Sequence, residues 1–441
     1  MRKHVIRLAV VLAILGGILA WWLTRPDVAQ LPENAVTGVT PQLSQPRGQS
    51  IPTVRIAKPV GWAQGTAPTP AAGLKVNAFA RGLEHPRWMH RLPNGDVLVA
   101  ETNSPPRKGG GITGFFQRVF MGRAGAGVPS ANRITLLRDA DADGVAEVRT
   151  VLVGGLNSPF GMTLQGRWLY VANTDALVRF PFQVGQTRIT AAPETIVRLP
   201  GGENHWARNV IAAPDGETLY VTVGSASNIA EKGLPIEKNR AVILQVFPDQ
   251  KRFRAFATGL RNPNGMAIEP QTGALWTVVN ERDQIGSDLP PDYLTRVELG
   301  DFFGWPWHYW GGYIDQRVQP QRPDLREYVR RPDYALGAHT ASLGLAFASD
   351  TRLGARFANG AFIGQHGSWN RVPPSGYKVI FVGFGANGFP AKAGPVDVLT
   401  GFLSADGKQA FGRPVGVIGD QGGALLVADD VGNVIWRVAA R

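Results

Sequence analysis

The chain has no cysteine. That excludes disulfides, thiolate metal sites, a cysteine nucleophile and covalent attachment of a c-type haem. Charge is sparse at 18% of residues, and Lys and Arg form no run resembling a nucleic-acid footprint, so nucleic acid is not an expected partner. No Ser-His-Asp set, Walker loop or GxGxxG stretch stands in a supporting context. What is abundant is Gly (54) and Pro (33), with 44% hydrophobic residues among 441. This composition suits a turn-rich globular protein with ample core, not a disordered chain or a coiled coil. The length admits two or three domains, or one large β architecture. The net charge is +12, of which residues 1–72 carry +5, and an anionic ligand remains open.

Residues 1–25 read as an export signal or an uncleaved anchor. Basic Met1–Arg7 precedes Leu8–Leu23, an uncharged apolar run of 16 residues. Trp21 and Trp22 close the run where a small-x-small cleavage site would stand, which suits an anchor with its basic end in the cytoplasm. A cleaved signal would instead release the protein into the periplasm. Residues 26–72, rich in Pro, Gln and Thr with little periodicity, predict a disordered linker.

From residue 73 to 441 one phrase repeats. GLEHPRWM (82–89) recurs as GLNSPFGM (155–162) and GLRNPNGM (259–266), each followed by an apolar strand, a Gly turn and a second apolar strand. Looser copies begin near 207, 343 and 413, making six. Their turn glycines are Gly95, Gly166, Gly216, Gly273, Gly360 and Gly423, spaced 71, 50, 57, 87 and 63 residues apart. Short strands at such a period predict an all-β, six-bladed β-propeller, because a blade buries its faces only against neighbours. A sandwich or Greek-key barrel would not explain six copies. The longest interval holds an elaborated loop, residues 290–312, and 107–127 form a second insertion.

The innermost strand of each blade lines the channel, so the residues before it open at one mouth. Six dipeptides fall there: Glu84-His85, Asn157-Ser158, His205-Trp206, Arg261-Asn262, Thr340-Ala341 (after His339) and Gly412-Arg413. Plain turns favour Gly, Asn, Asp or Pro. Two arginines with histidines around one axis suggest a ligand bearing carboxylates or phosphates, which a guanidinium fork pairs bidentately. His205, among apolar and cationic neighbours, is placed to stay neutral as a general base requires.

These residues carry a resemblance. HWARNVIAAPDGETLYVTVGSASN (205–228), TGLRNPNGMAIEPQTGALWTVVNERDQIGSDLPPDYL (258–294), FFGWPW (302–307), HTASLGLAF (339–347) and QHGSWNRVPPSGYKV (365–379) resemble the pyrroloquinoline quinone (PQQ)-dependent sugar dehydrogenases. The likeness extends to the soluble glucose and aldose enzymes, and more to the L-sorbosone and pyranose dehydrogenase branch. It implies a quinoprotein oxidoreductase that oxidises a sugar or hydrated sugar aldehyde, with PQQ and Ca²⁺ as cofactors. His205 matches the family's base. Arg261, Asn262 and Arg413 match PQQ-contacting residues, and Asn157, His339 and Arg371 fall around the same pocket. Asn280–Asp283 falls where backbone carbonyls hold Ca²⁺, with Glu281 and Arg282 the expected donors. Two positions depart from the pattern. Ser225 replaces the acidic residue that orients the base, and a fifth-blade lysine is absent, leaving Arg371 as the nearest cation. Without cysteine or haem motif, electrons must leave to an external acceptor, a membrane quinone or a periplasmic cytochrome.

Other features stay open. Asp139-Ala-Asp141-Ala-Asp143-Gly144 begins like a calcium loop, but its twelfth position is Thr150, so it reads as an acidic turn or a Ca²⁺ site. Trp305, Trp307, Tyr309 and Trp310 form either a sugar-stacking wall or core, and His308 shares that ambiguity. His85 and His90 read as structural. The competing functions are a Ca²⁺-dependent lactonase-like propeller hydrolase and a non-catalytic propeller that binds a protein or glycan.

Overall fold

The computed structural model describes residues 2–48, 53–106 and 127–441. The insertion at 107–127 therefore lies almost wholly outside the described residues. Six sheets of four or five antiparallel strands form the blades of a propeller. Blade 1 runs from Pro86–Arg91 to Val148–Val153 and blade 2 from Met162–Gln165 to Glu194–Arg198. Blade 3 spans Val210–Ala212 to Arg252–Thr258, and blade 4 spans Pro263–Ile268 to Tyr334–Ala338. Blade 5 runs from Ser342–Phe347 to Val396–Thr400. Blade 6 comprises Pro414–Gly419, Leu425–Asp429, Val434–Ala440 and, as its outermost strand, Leu74–Arg81 from the other end of the chain. That last pairing, from Val434↔Arg81 to Ala440↔Leu74, closes the ring.

Burial along the strands explains the sequence pattern. The second strands, such as Val97–Glu101, Leu219–Val223 and Leu425–Asp429, are buried at every residue and read as unbroken apolar runs. Both of their faces meet neighbouring blades. Outer strands such as Arg252–Thr258 are mostly exposed, with their arginines facing solvent. The core is accordingly divided into six clusters, one between each pair of adjacent blades. Tyr170 and Leu177 of blade 2 pack with Leu219 and Val221 of blade 3, and Trp276 of blade 4 packs with Ile363 and Val382 of blade 5. Each fully buried Leu, Val or Phe contributes about 1.5–3 kcal/mol, so the ring is held at its interfaces and its axis is left for polar groups.

Chain direction fixes the two faces. The first strand runs away from the mouth, turns, and the second returns: Pro86 pairs with Glu101 and Pro414 with Asp429 at the mouth. The six turn glycines therefore share the opposite face. Gly95 adopts φ +92°, a left-handed conformation that an L side chain resists.

The N-terminal helix spans Arg2–Thr24, and its described large apolar side chains are exposed. Among the described residues no helix is long and apolar enough to cross a membrane. The described residues of 26–72 hold no element longer than three residues, in keeping with their lack of periodicity. Yet their described parts lie against the propeller rather than hanging free. Thr37–Gly38 adds a fifth strand to blade 4 and Thr69–Pro70 a fifth to blade 5, while Lys58–Pro59 pairs with Gln409–Ala410. Trp62 packs on Phe402, Phe411 and Trp436. Main-chain pairing and single anchoring side chains hold this strap, and neither leaves a period in the sequence.

Candidate active site

The mouth is built from two sets of residues per blade: those before the first strand and those ending the second. The first set includes strained turns. His85, Ser158 and Ala341 sit at equivalent positions with φ of 54°, 44° and 51°. Side chains cap their N–H groups: Asn433 for His85, Asn132 for Ser158 and Asp292 for Ala341. Such strain costs of order 1–3 kcal/mol per residue and collects at functional sites.

Blades 3, 4 and 5 supply one half of the mouth. His205 is half-buried. Its Nδ1 lies 2.8 Å from the Ser225 carbonyl and 3.0 Å from Ser225 Oγ. Ser225 Oγ donates to the Ser227 carbonyl at 2.7 Å, so it can only accept from the imidazole. Nδ1 is therefore the protonated nitrogen and Nε2 carries the lone pair. Burial, with Arg261 beside it, lowers the His205 pKa to about 3. The serine that replaces the expected acid thus still orients the ring, through its main chain. Gly224 makes this approach possible: a Cβ there would meet Asn262 Oδ1 at 2.3 Å and His205 Cβ at 2.6 Å. Arg208 Nη1 donates to the His205 carbonyl at 2.6 Å and steadies the turn from behind.

Arg261 is buried, and its donors are taken up by protein. Nε donates to the Asn228 carbonyl (3.1 Å), Nη1 to the Glu281 carbonyl (2.6 Å), and Nη2 to Asn228 Oδ1 (2.9 Å) and Asp283 Oδ2 (3.4 Å). Asp283 also accepts from Asn370 Nδ2 at 2.8 Å and sits 3.5 Å from His339 Nδ1, whose Nε2 donates to the Gly286 carbonyl. Burial alone would raise Asp283, but the His339 hydrogen bond and the Arg261 charge hold it well below the usual carboxylate range. Burial alone would lower His339, but Asp283 raises it. Burial pushes Glu281 up to about 7.

Blades 5, 6 and 1 supply the other half. Asp430 Oδ2 accepts from Arg87 Nη1 (2.5 Å) and from His366 Nε2 (2.9 Å), with His85 Nε2 at 3.4 Å. Burial lowers both histidines, so they stand neutral. Arg413 lies beside this cluster, buried to 5% exposure. Its Nη2 donates to Tyr377 Oη at 2.8 Å and it stacks on that ring, but its Nε has no partner. Among the described residues no carboxylate stands within ion-pair distance of Arg413.

The remaining expected residues are placed as follows. Asn262 is half-buried beside His205, and Asn157 is exposed on the rim of blade 2. Arg371 is not at the mouth's centre: its Nε donates to the Ser287 carbonyl, its Nη1 to the Pro373 carbonyl, and its Nη2 faces Asp288 at 3.7 Å. The blade 5 side chain that does stand beside Arg413 and Asp430 is the neutral imidazole of His366. The Glu281 carbonyl is already occupied by Arg261, and the Arg282 side chain is buried against Asp315 at 3.0 Å. A Ca²⁺ on the Glu281 oxygen would share that carbonyl with the Arg261 guanidinium. Tyr309 and Trp310 are buried in the core between blades 3 and 4, and Trp307 is half-buried. Trp305 is buried with its Nε1 donating at 3.0 Å to the Asn228 carbonyl, which also accepts from Arg261. His308 is core as well. His85, read as structural, belongs to the mouth, whereas His90 is half-buried elsewhere and accepts from the Leu164 N–H. Asp139, Asp141, Asp143 and Glu147 do converge, with ligand atoms within 4.8 Å of one another. They stand on the turn face of blade 1, away from the mouth.

These features define a six-bladed propeller with a polar, histidine- and arginine-lined mouth on its axis. A family profile described as TrAA12-like matches residues 68–292 and 319–441. The chain belongs to that family. The match omits 293–318, the loop that carries the tryptophan cluster. A pyrroloquinoline quinone-dependent pyranose dehydrogenase of Coprinopsis cinerea is 25% identical over 432 residues, covering 83% of this chain and 54% of its own length. An uncharacterized protein of Borreliella burgdorferi is 32% identical over 235 residues, 53% of this chain and 60% of that protein. The chain thus spans little more than half the length of these relatives. Among solved structures, a Trichoderma reesei protein of carbohydrate-active enzyme family AA12 superposes with TM-score 0.69 at 18% identity, covering 88% of this chain and 99% of that one. The pyranose dehydrogenase PQQ domain of C. cinerea gives 0.67 at 22% identity, covering 87% and 100%. At these identities the superpositions establish the fold.

Proposed function

We propose that the protein is a PQQ-dependent sugar dehydrogenase of the pyranose, sorbosone or aldose type. One observation carries this reading: Arg413, buried at the mouth with no carboxylate partner and an unsatisfied Nε, faces across the axis from a neutral, oriented His205. A buried cation without a counter-ion is costly, and an anionic ligand removes that cost. PQQ is a tricarboxylate, and when bound it supplies the two-electron acceptor. Arg413 and Asn262 are the residues that would hold it. His205 Nε2 takes the proton of the substrate hydroxyl, with Nδ1 fixed on Ser225. His366, held by Asp430, stands where the family's lysine is missing and contributes a hydrogen-bonding group beside Arg413. Ca²⁺ is the ion the resemblance implies, but we assign no step to it. A lactonase-like site would need acidic ligands converging on the axis. The mouth's Asp283, Asp292 and Asp430 are instead bound to Arg, His and backbone N–H groups.

The anchor reading belongs to this proposal. It is supported by Leu8–Leu23 and by the exposure of Ile6, Leu12, Leu19 and Trp21, each at 56–65%. It places the propeller on the periplasmic side of the membrane. The decisive experiment is titration of the purified chain with PQQ, with and without Ca²⁺, followed by dye reduction across a sugar panel. Saturable binding and PQQ-dependent turnover are expected. A chain that shows no spectral change with PQQ, or reduces dye equally well without it, ends the proposal.

A further inference from the structure

The helix and the mouth are joined by very little chain. Helix Arg2–Thr24 is continued by the Arg25 N–H, which donates to the Trp21 carbonyl at 2.9 Å. Pro26 then ends it. Asp27 is already fixed to the propeller: Oδ2 accepts from the Ser287 N–H at 2.6 Å, and its carbonyl accepts from Ser287 Oγ at 2.7 Å. Gln30 N–H donates to Asp288 Oδ2 and Ala29 N–H to the Val372 carbonyl. Ser287 lies in the loop that carries Asp283 and Gly286, the two partners of His339. Asp27 is three residues on from Thr24, so the helix end stands within about 11 Å of the rim. The turn face lies about 20 Å further away, the length of a six-residue strand.

The rim near this point has an apolar fringe. Val28, Val54 and Trp369 are 49%, 39% and 39% exposed, and the Arg55 N–H ties the strap to the Trp369 carbonyl at 2.8 Å. Arg55 and Lys58 add positive charge beside it. A helix uncharged from Leu8 to Leu23, with Arg25 after it and an exposed tryptophan on the rim beside Arg55, has the chemistry of a lipid interface.

We propose that the mouth of the propeller faces the bilayer, with Val28, Val54 and Trp369 at headgroup level. This rests on the anchor reading and goes beyond it. It also selects the electron acceptor. A gap of about 11 Å is too narrow for a folded domain some 30 Å across. A lipid-borne quinone fits: it takes two electrons and two protons from the reduced cofactor and leaves as its quinol.

Because the chain has no cysteine, single cysteines can be labelled without background. Val54→Cys marks the rim and Glu217→Cys the turn face. The full-length variants, carrying an environment-sensitive fluorophore, are reconstituted in phosphatidylcholine–phosphatidylglycerol vesicles containing a headgroup spin-labelled lipid. Quenching several-fold stronger at position 54 than at 217 is expected. A 20-residue Gly-Ser insertion between Arg25 and Pro26 should keep the protein on the vesicles and abolish that difference. Failure to co-sediment with vesicles would defeat the anchor reading itself. Co-sedimentation with equal or reversed quenching would overturn the orientation alone.

Discussion

In the half of the mouth made by blades 3–5, charge is spent; in the half made by blades 5, 6 and 1, charge is left over. Arg261 uses Nε, Nη1 and Nη2 on Asn228, Glu281 and Asp283, and Asp283 is shared with His339 and Asn370. Across the axis, Asp430 answers Arg87 and leaves Arg413 with a tyrosine. A closed network rigidifies, whereas an uncompensated buried cation attracts an anion. The contrast therefore separates two jobs that the sequence pattern merged. The first half positions a proton acceptor, and the second half provides anion affinity.

The largest expected effect comes from removing the proton acceptor. His205→Gln keeps a polar side chain near Ser225 but loses the basic nitrogen. Turnover should fall by roughly 10²–10⁴-fold while PQQ affinity stays near wild type. With its pKa at about 3, His205 is neutral over nearly the whole working range. The acidic limb of the rate profile should thus lie well below pH 6.5. If His205→Gln turns over normally once saturated with PQQ, the division of labour is wrong.

The two arginines sharpen the comparison next. Arg261→Met breaks a buried network and strands Asp283, so it should lower stability by about 3–5 kcal/mol. Arg413→Met removes a cation that no carboxylate balances, so stability should change little or rise. Its PQQ affinity should fall about 10- to 150-fold, the worth of a charged hydrogen bond. Urea unfolding and PQQ titration of both variants give the four numbers required. Equal losses of stability would erase the distinction between the halves.

Much of this arrangement was legible in the sequence, and the rest was hidden for identifiable reasons. The recurring GL-x-x-P phrase marked the approach to each innermost strand, which gave the blade count, the faces and the positions of His205, Arg261 and Arg413. It said nothing of what ends the second strands. Ser225 and Glu281 stand there and were reached only through the family resemblance; His366 and Asp430 stand there too, and aligning the six strand ends as the six starts were aligned would have brought all four to the same rim. Arg371 was misplaced because distance along the chain does not show where a guanidinium points; carbonyls of Ser287 and Pro373 take it. Trp305, Tyr309 and Trp310 looked like a wall because a Gly- and Pro-bounded loop suggests surface. In the fold that loop closes over blades 3 and 4 and buries Tyr309 and Trp310 there, while Trp305 is buried with its Nε1 on the Asn228 carbonyl. The strap went unseen because its bonds are main-chain ones.

The smallest effect tests the closed half through its protons. His339 is raised by Asp283, and Asp283 is lowered by His339 and Arg261. A histidine raised in the folded state stabilises fully below its unfolded value near 6.5, and that contribution is lost as pH rises through the folded value. An aspartate lowered in the folded state stabilises above about 3.9, and is lost as pH falls. The pair should therefore contribute most between roughly pH 4 and 6.5, and fade on the alkaline side as His339 gives up its proton. His339→Gln keeps a donor for the Gly286 carbonyl but cannot carry charge. The difference in melting temperature between wild type and His339→Gln should be greatest near pH 5 and shrink as pH rises through the raised folded value of His339. A difference independent of pH over that range would mean that His339 is neutral against Asp283, and the network would then be held by Arg261 and Asn370 alone.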